Sequence, residues 1–79
     1  MPAPIGLLDT VALTVDLPTL GLRAGEVGAV VEVLADGEAF EIEFCDRSGT
    51  TYGLHTLRTG QLIALHTRGE ALRLHAEAA

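Results

Sequence analysis

The sequence predicts a small all-β domain that folds as an antiparallel barrel or sheet. Its clearest feature is a hairpin, in which two β-rich segments, 27–35 and 38–45, flank the dipeptide Asp36-Gly37. This dipeptide tolerates the positive φ angles of a tight type I′ turn. Alternating apolar residues precede the hairpin and a second turn-forming run follows it. Together these observations predict successive antiparallel strands joined by short connections.

Five strands are expected, joined by loops and one short helical turn. Residues 1–8, which include two prolines, form an N-terminal lead-in to a single domain of residues 9–66. The strands are predicted at 10–15, 27–35, 38–45, 51–56 and 62–66, with the helical turn at 57–61. Residues 67–79 form a C-terminal tail that combines high helix propensity with strand-like alternation, and helix is favoured there.

The segment 16–26 is predicted to be a loop, because Pro18, Gly21 and Gly25 punctuate it. Its three leucines make it too apolar for a freely solvated loop. We expect these leucines either to fold back over the core or to remain exposed for contact with a partner.

The tight turn sets the register of the first hairpin. It places Val33 opposite Phe40, Glu32 opposite Glu41, and Val31 opposite Ile42. Because side chains alternate faces along a strand, one face is expected to form the core. That core face comprises Val31, Val33, Phe40, Ile42 and Phe44.

The second hairpin is expected to keep the same inward face. A five-residue turn at 46–50 places Phe44 opposite Tyr52 and Ile42 opposite Leu54. Glu41 then lies opposite His55.

An outward row of Glu32, Glu41 and His55 follows from these registers. Two adjacent carboxylates repel each other, and an imidazolium beside them would relieve that repulsion. The row can be interpreted as a pH-sensitive or weak cation-binding patch. A solvated face is the favoured interpretation, because an open, flat surface excludes no water and offers too few ligands.

Composition narrows the class of function. The chain has 79 residues and a formal net charge of −6, with five arginines scattered along it and no lysine. Nucleic acid is therefore disfavoured as a partner, and a basic or neutral protein is favoured. The hydrophobic fraction of 48% is high for so small a surface, which suggests an exposed contact patch.

No catalytic, cofactor or metal motif is expected. The single cysteine, Cys45, excludes an intrachain disulfide and fits a reducing, cytoplasmic compartment. The N-terminus lacks the pattern of a secretion signal, and no apolar run approaches the length of a membrane span. Ser48 is expected to cap a turn, and Gly28 to mark a bulge or tight bend.

The sequence resembles a family of small bacterial domains of unknown function. The resemblance lies in Leu8–Leu13, Asp16-Leu17-Pro18, Gly21-Leu22, Gly25–Val33, Phe40–Phe44, Asp46, Gly49, Thr51-Tyr52, Thr56-Leu57 and Gln61-Leu62. It implies a five-stranded SH3-like barrel with a short 3-10 turn before the last strand. Segment 23–33 also looks like the strand pair of ribosomal and transcription-factor SH3-like modules, which bind RNA or proteins. The resemblance supplies no catalytic residues.

These observations favour a non-catalytic protein-interaction module, by analogy a regulatory or toxin-neutralising one. An RNA-binding module and an accessory subunit of an enzyme are the alternatives. The same surface, or the tail, is expected to build a homo-oligomer. The predicted contact residues combine the loop with the acidic outer face: Asp16, Leu17, Leu20, Leu22, Glu26, Glu32, Glu41 and His55.

Overall fold

The chain folds into one five-stranded antiparallel sheet, as the sequence predicts. The structure is a computed structural model that describes residues 5–66. The strands are β1 (Thr10–Leu13), β2 (Val27–Leu34), β3 (Ala39–Cys45), β4 (Thr51–Arg58) and β5 (Leu62–His66). Their order across the sheet is β4-β3-β2-β1-β5, so β4 and β5 are its edges. The tail predicted to be helical, 67–79, lies outside the described residues.

The hairpin turn between β2 and β3 forms at the predicted Asp36-Gly37 dipeptide, but each predicted strand is one residue too long. Ala35 has a positive φ of 50°, and β2 ends at Leu34 while β3 begins at Ala39. Asp36 has φ 55° and ψ 33°, Gly37 has φ 90°, and the Glu38 N–H donates to the Ala35 carbonyl at 3.1 Å. These values match a type I′ turn. The pairs Val33–Phe40 and Glu32–Glu41 confirm the predicted register next to the turn.

A β-bulge at Val31 changes the rest of that hairpin. The register shifts between Val30 and Glu32, so that Val30 pairs with Ile42. Val30 is fully buried, whereas Val31 and Val33 are 41% and 42% exposed. The prediction that Val31 and Val33 belong to the core is therefore wrong. The extra residue places Val30 instead of Val31 opposite Ile42. Val33 keeps its predicted partner Phe40, but it lies where β2 extends past its ladder with β1.

A second irregularity shifts the β3–β4 register by one residue. Cys45 pairs with Thr51, but Phe44 pairs with Gly53 and Ile42 with His55. Tyr52 is thus the extra residue, and the predicted pairs of Phe44 with Tyr52 and Ile42 with Leu54 are wrong. Tyr52 still lies near Phe44, with ring centroids 6.2 Å apart.

The turn between β3 and β4 is organised by one carboxylate. Asp46 Oδ1 accepts hydrogen bonds from the Ser48 N–H at 2.9 Å, the Ser48 hydroxyl at 2.7 Å and the Thr50 N–H at 3.0 Å. These bonds, led by that of the Ser48 hydroxyl, hold the pKa of the Asp46 carboxyl below its ordinary value. Ser48 therefore has the turn-capping role that its sequence position predicts.

The core is aliphatic with two aromatic rings at its centre. Its largest fully buried side chains are Phe40, Phe44, Ile42, Leu57, Val11 and Val30. Strand β1 pairs with β2 on one side and β5 on the other, so neither of its backbone edges is open. Gly28 lies where β2 approaches β3 closely, since an added Cβ would sit 2.6 Å from Ile42 Cγ2. A close approach, rather than the predicted bulge or bend, explains this glycine.

The described part of the lead-in is bound to the sheet. Ile5 packs against the core, and the buried Asp9 carboxylate accepts a hydrogen bond from the Gly6 N–H at 2.8 Å. The Leu8 N–H donates to the Val30 carbonyl at 2.8 Å. These contacts extend the folded unit beyond its predicted start at residue 9.

A 3-10 turn, Thr59–Gln61, precedes β5 as predicted, but it is shorter than the predicted segment 57–61 because β4 continues to Arg58. The Thr59 hydroxyl is within 3.2 Å of the Gly37 and Glu38 carbonyls, and the Thr14 N–H donates to the Gln61 carbonyl at 2.9 Å. The turn is thereby attached both to the β2–β3 hairpin and to the end of β1.

Candidate interaction surface

The predicted loop is compact. Leu17 and Leu22 exchange backbone hydrogen bonds of 2.9 and 3.1 Å. Between them Pro18–Leu20 forms a 3-10 turn that ends at Gly21, which has φ 71° and donates to the Pro18 carbonyl at 3.1 Å. A left-handed residue of this kind is usually glycine, because glycine has no Cβ to clash.

The three loop leucines have different environments. Leu22 is 2% exposed and belongs to the core, and Leu17 is half-buried against it. Leu20 is 39% exposed at the tip of the loop. The prediction that Leu22 contacts a partner is therefore wrong, and folding back over the core is confirmed for Leu17 and Leu22. Of the three leucines, only Leu20 is exposed to solvent.

The two loop acids hold the loop in place. Asp16 Oδ1 accepts a hydrogen bond from the Ala24 N–H at 2.9 Å. Glu26 Oε2 accepts from the Arg23 N–H at 2.6 Å, and Glu26 Oε1 accepts from the Tyr52 hydroxyl at 2.8 Å. Glu26 thus connects the end of the loop to the start of β4. Both acids have structural partners within the chain.

The hydrogen bond between Tyr52 and Glu26 shifts both pKa values in opposite directions. Donation by the phenol, and then by the Arg23 backbone, holds the pKa of the Glu26 carboxyl below its ordinary value. The same bond raises the pKa of the Tyr52 phenol. A carboxyl with a lowered pKa contributes stability above its ordinary pKa, and this stability is lost as pH falls through the lowered pKa.

We expect Tyr52→Phe to raise the pKa of Glu26 towards the ordinary glutamate value, because the strongest donor to its charged form is lost. NMR titration of the Glu26 side-chain carbon would measure the shift. The Asp46 carboxyl, whose donors are in its own turn, serves as the internal control and should titrate as before. An unchanged Glu26 pKa in the variant would contradict the assigned bond.

The predicted row of Glu32, Glu41 and His55 does not form. Glu32 and Glu41 are cross-strand neighbours, as expected. Glu41 pairs with Thr56 instead of His55, and the Thr56 hydroxyl donates to Glu41 Oε1 at 2.6 Å. His55 lies on the inward side, with its ring centroid 6.5 Å from that of Phe44. The extra residue Tyr52 is the reason, since it moves His55 to the other face.

Other residues join the two glutamates on the outer side. Glu43 pairs with Leu54, and its Oε2 accepts a hydrogen bond from the Thr51 hydroxyl at 2.7 Å. Leu54 is 53% exposed, and Val31, next to Glu32 in the bulge, is also exposed. We call this set, Val31, Glu32, Glu41, Glu43 and Leu54, the acidic outer face. Sequence reasoning missed Leu54, although Gly53 within a strand is a sign of a bulge.

The remaining candidate features of the described residues are a thiol and a shallow depression. Cys45 is exposed and has the Thr51 hydroxyl 3.7 Å from its sulfur. A shallow depression of about 540 Å³ is lined by Glu38, Arg58, Thr59, Gly60 and Gln61. Among residues 5–66 no three His, Cys, Asp or Glu side chains are grouped so that they could hold a metal ion. No helix in the same range is long and apolar enough to cross a membrane.

The fold and this surface define a small all-β domain with an acidic, partly apolar outer side. Residues 7–64 match the family model described as Domain of unknown function (DUF4926). The match spans well over half of the chain, and the chain belongs to this family. No curated protein and no solved structure matches it significantly.

Proposed function

We propose that this domain is a non-catalytic protein-interaction module that binds a basic polypeptide on the acidic outer face. The observation that carries the proposal is the combination, on one side of the sheet, of three carboxylates with exposed aliphatic side chains. Leu54 supplies apolar contact area, while Glu32, Glu41 and Glu43 supply charge. Interfaces with this composition have an apolar centre and a polar rim.

The charge pattern supports a cationic partner. Glu32 on β2 and Glu41 on β3 lie directly opposite each other. Two like charges in such a cross-strand pair destabilise a sheet by a few tenths of a kcal/mol or more. A lysine or arginine from a partner would remove this repulsion. The net charge of −6 also favours encounter with a basic protein.

The fold supports the same class of function. The strand order β4-β3-β2-β1-β5, with a 3-10 turn before β5, agrees with an SH3-like barrel, a scaffold on which binding modules are common. A regulatory or toxin-neutralising role, and a cytoplasmic location for a chain with one free thiol, are the biological settings we propose.

RNA binding is the second candidate, because SH3-like modules include RNA binders. In residues 5–66 the arginines are Arg23 in the loop, Arg47 in the β3–β4 turn and Arg58 at the end of β4, on three separate elements. Such spacing and the net charge disfavour several simultaneous phosphate contacts. A role as accessory subunit of an enzyme is a special case of the interaction module.

The test uses Glu32→Gln/Glu41→Gln and a synthetic peptide that alternates arginine and leucine. NMR titration of the wild-type chain should move the amide signals of Glu32, Glu41 and Glu43, and added salt should weaken binding. The double variant should bind at least several-fold more weakly.

The matched control is Asp36→Asn/Glu38→Gln, which changes the net charge equally at the hairpin turn. Asparagine-glycine keeps the type I′ turn, so this control should fold and bind nearly as wild type. Equal losses in both double variants would mean that only the overall charge attracts the peptide, and would overturn the proposed site.

A further inference from the structure

The outer edge of β4 is open within the described part of the chain. β4 is an eight-residue strand that ends the sheet, and no strand of residues 5–66 pairs with its outer side. Natural edge strands are protected by shortness, lysine, proline, bulges or a covering segment. β4 contains neither lysine nor proline, and Arg58 is its only arginine or acid.

Hydrogen bonding identifies which backbone groups of β4 point outward. The Thr59 N–H donates to the Glu38 carbonyl at 3.2 Å, so this pair is a hydrogen-bonded pair of the β3–β4 ladder. Such pairs alternate along an antiparallel ladder, which directs the backbone groups of His55 and Leu57 towards β3. Those of Leu54, Thr56 and Arg58 therefore point away from β3.

The two ends of this edge are closed by neighbouring residues. The Arg58 N–H donates to Gln61 Oε1 at 2.9 Å. This bond agrees with the outward direction of the Arg58 N–H and makes that N–H unavailable to an added strand. The bulge at Tyr52 interrupts the other end. The open stretch is thus Leu54–Thr56, with two N–H and two C=O groups available to an added strand.

We propose that this edge pairs with the β4 edge of a second copy of the chain, in an antiparallel dimer with its twofold axis at His55. Leu54 of each copy then lies opposite Thr56 of the other, and the available groups form four hydrogen bonds. The residues keep their faces in this register, because paired residues in an antiparallel ladder lie on the same side of the sheet.

Charge complementarity favours a second copy over other strands. In this register Arg58 of each copy lies opposite Tyr52 of the other, at the end of β4 where Glu26 and Glu43 accept hydrogen bonds from Tyr52 and Thr51. The one cation of the strand thus approaches acids of the other copy at both ends. The net charge of −6 makes two copies repel each other over the rest of their surfaces, so this edge is where they can attract each other.

The dimer is tested by sedimentation equilibrium of the full chain from micromolar to millimolar concentration. The wild-type chain should dimerise, and Leu54→Pro should weaken dimerisation about thirtyfold, because it removes one outward N–H from each copy. Proline is tolerated at an edge position whose N–H makes no ladder bond, so the monomer should keep its β-sheet spectrum. Leu54→Thr, the matched control, keeps the N–H and should still dimerise.

A wild-type chain that stays monomeric, or an unchanged dimer of a folded Leu54→Pro variant, would overturn the proposal. Should the proline variant fail to fold, amide hydrogen exchange in the wild type decides instead. Protection of Leu54 and Thr56 should increase with protein concentration. Protection that is independent of concentration would mean that the same chain covers the edge, and would reject the dimer. Peptide binding at the acidic outer face is measured separately and can succeed or fail independently.

Discussion

Replacing Phe44 with alanine is expected to remove most of the free energy of folding. Phe44 is fully buried, and its ring centroid lies 6.2 Å from that of Tyr52 and 6.5 Å from that of His55. Truncating a buried phenylalanine costs about 3–5 kcal/mol. A chain of this size has a total stability of roughly 4–12 kcal/mol, so the variant should be largely unfolded or close to it. Urea denaturation followed by circular dichroism measures the change.

Val33→Ala is the matched control for this experiment. The sequence alone places Val33 in the core opposite Phe40, whereas the structure leaves it 42% exposed. We therefore expect Val33→Ala to lower the free energy of unfolding by less than about 1 kcal/mol. A cost for Val33→Ala approaching that of Phe44→Ala would contradict the exposed position of Val33 at the end of β2.

Replacing Gly28 with alanine is expected to destabilise the chain by about 1–3 kcal/mol, although only one methyl group is added. The new Cβ would lie 2.6 Å from Ile42 Cγ2, 2.9 Å from the Glu43 carbonyl oxygen and 3.0 Å from Phe44 Cδ1. The Ile42 side chain is fully buried and β-branched, and the Glu43 carbonyl belongs to the backbone of β3, so neither moves away easily. The variant must therefore separate two central strands of the sheet. The midpoint of urea denaturation should fall accordingly.

Gly60→Ala provides the control for the glycine substitution. Nothing lies within 4 Å of a Cβ added to Gly60, and its backbone is not in the left-handed region. The smaller conformational freedom of alanine in the unfolded chain should leave this variant as stable as wild type or slightly more stable. Equal behaviour of the two alanine variants would show that β2 and β3 do not approach as closely at Gly28 as described.

Local signals in the sequence were sufficient to predict the elements of the fold. The Asp36-Gly37 turn, the turn at 46–50, the last strand and the inward side of Phe40 and Phe44 all depend on neighbouring residues. The two bulges do not depend on neighbouring residues alone, because they are set by how the strands fit against each other. At Val30 and Val31 both residues are valines, so alternation is equally satisfied by either one facing inward.

The second bulge shows why the candidate site was only partly predictable. Apolarity favoured Tyr52 and Leu54 as inward residues, yet the structure turns Gly53 and His55 towards Phe44. This exchange places His55 on the inward side, away from Glu32 and Glu41, and places Leu54 on the acidic outer face. The structural role of Glu26 was also not predictable from local signals, because the hydrogen bond that it accepts from Tyr52 joins residues far apart in the chain.

The Asp46 turn also has a consequence for the order of folding. Its hydrogen bonds join residues at most four positions apart, so the β3–β4 hairpin closes a short loop at small entropic cost. The β1–β5 ladder instead joins Leu13 to Leu62, across most of the domain. We expect the hairpin to form early, with the pairing of β1 and β5 completing the fold, and native-state opening to begin by release of β5.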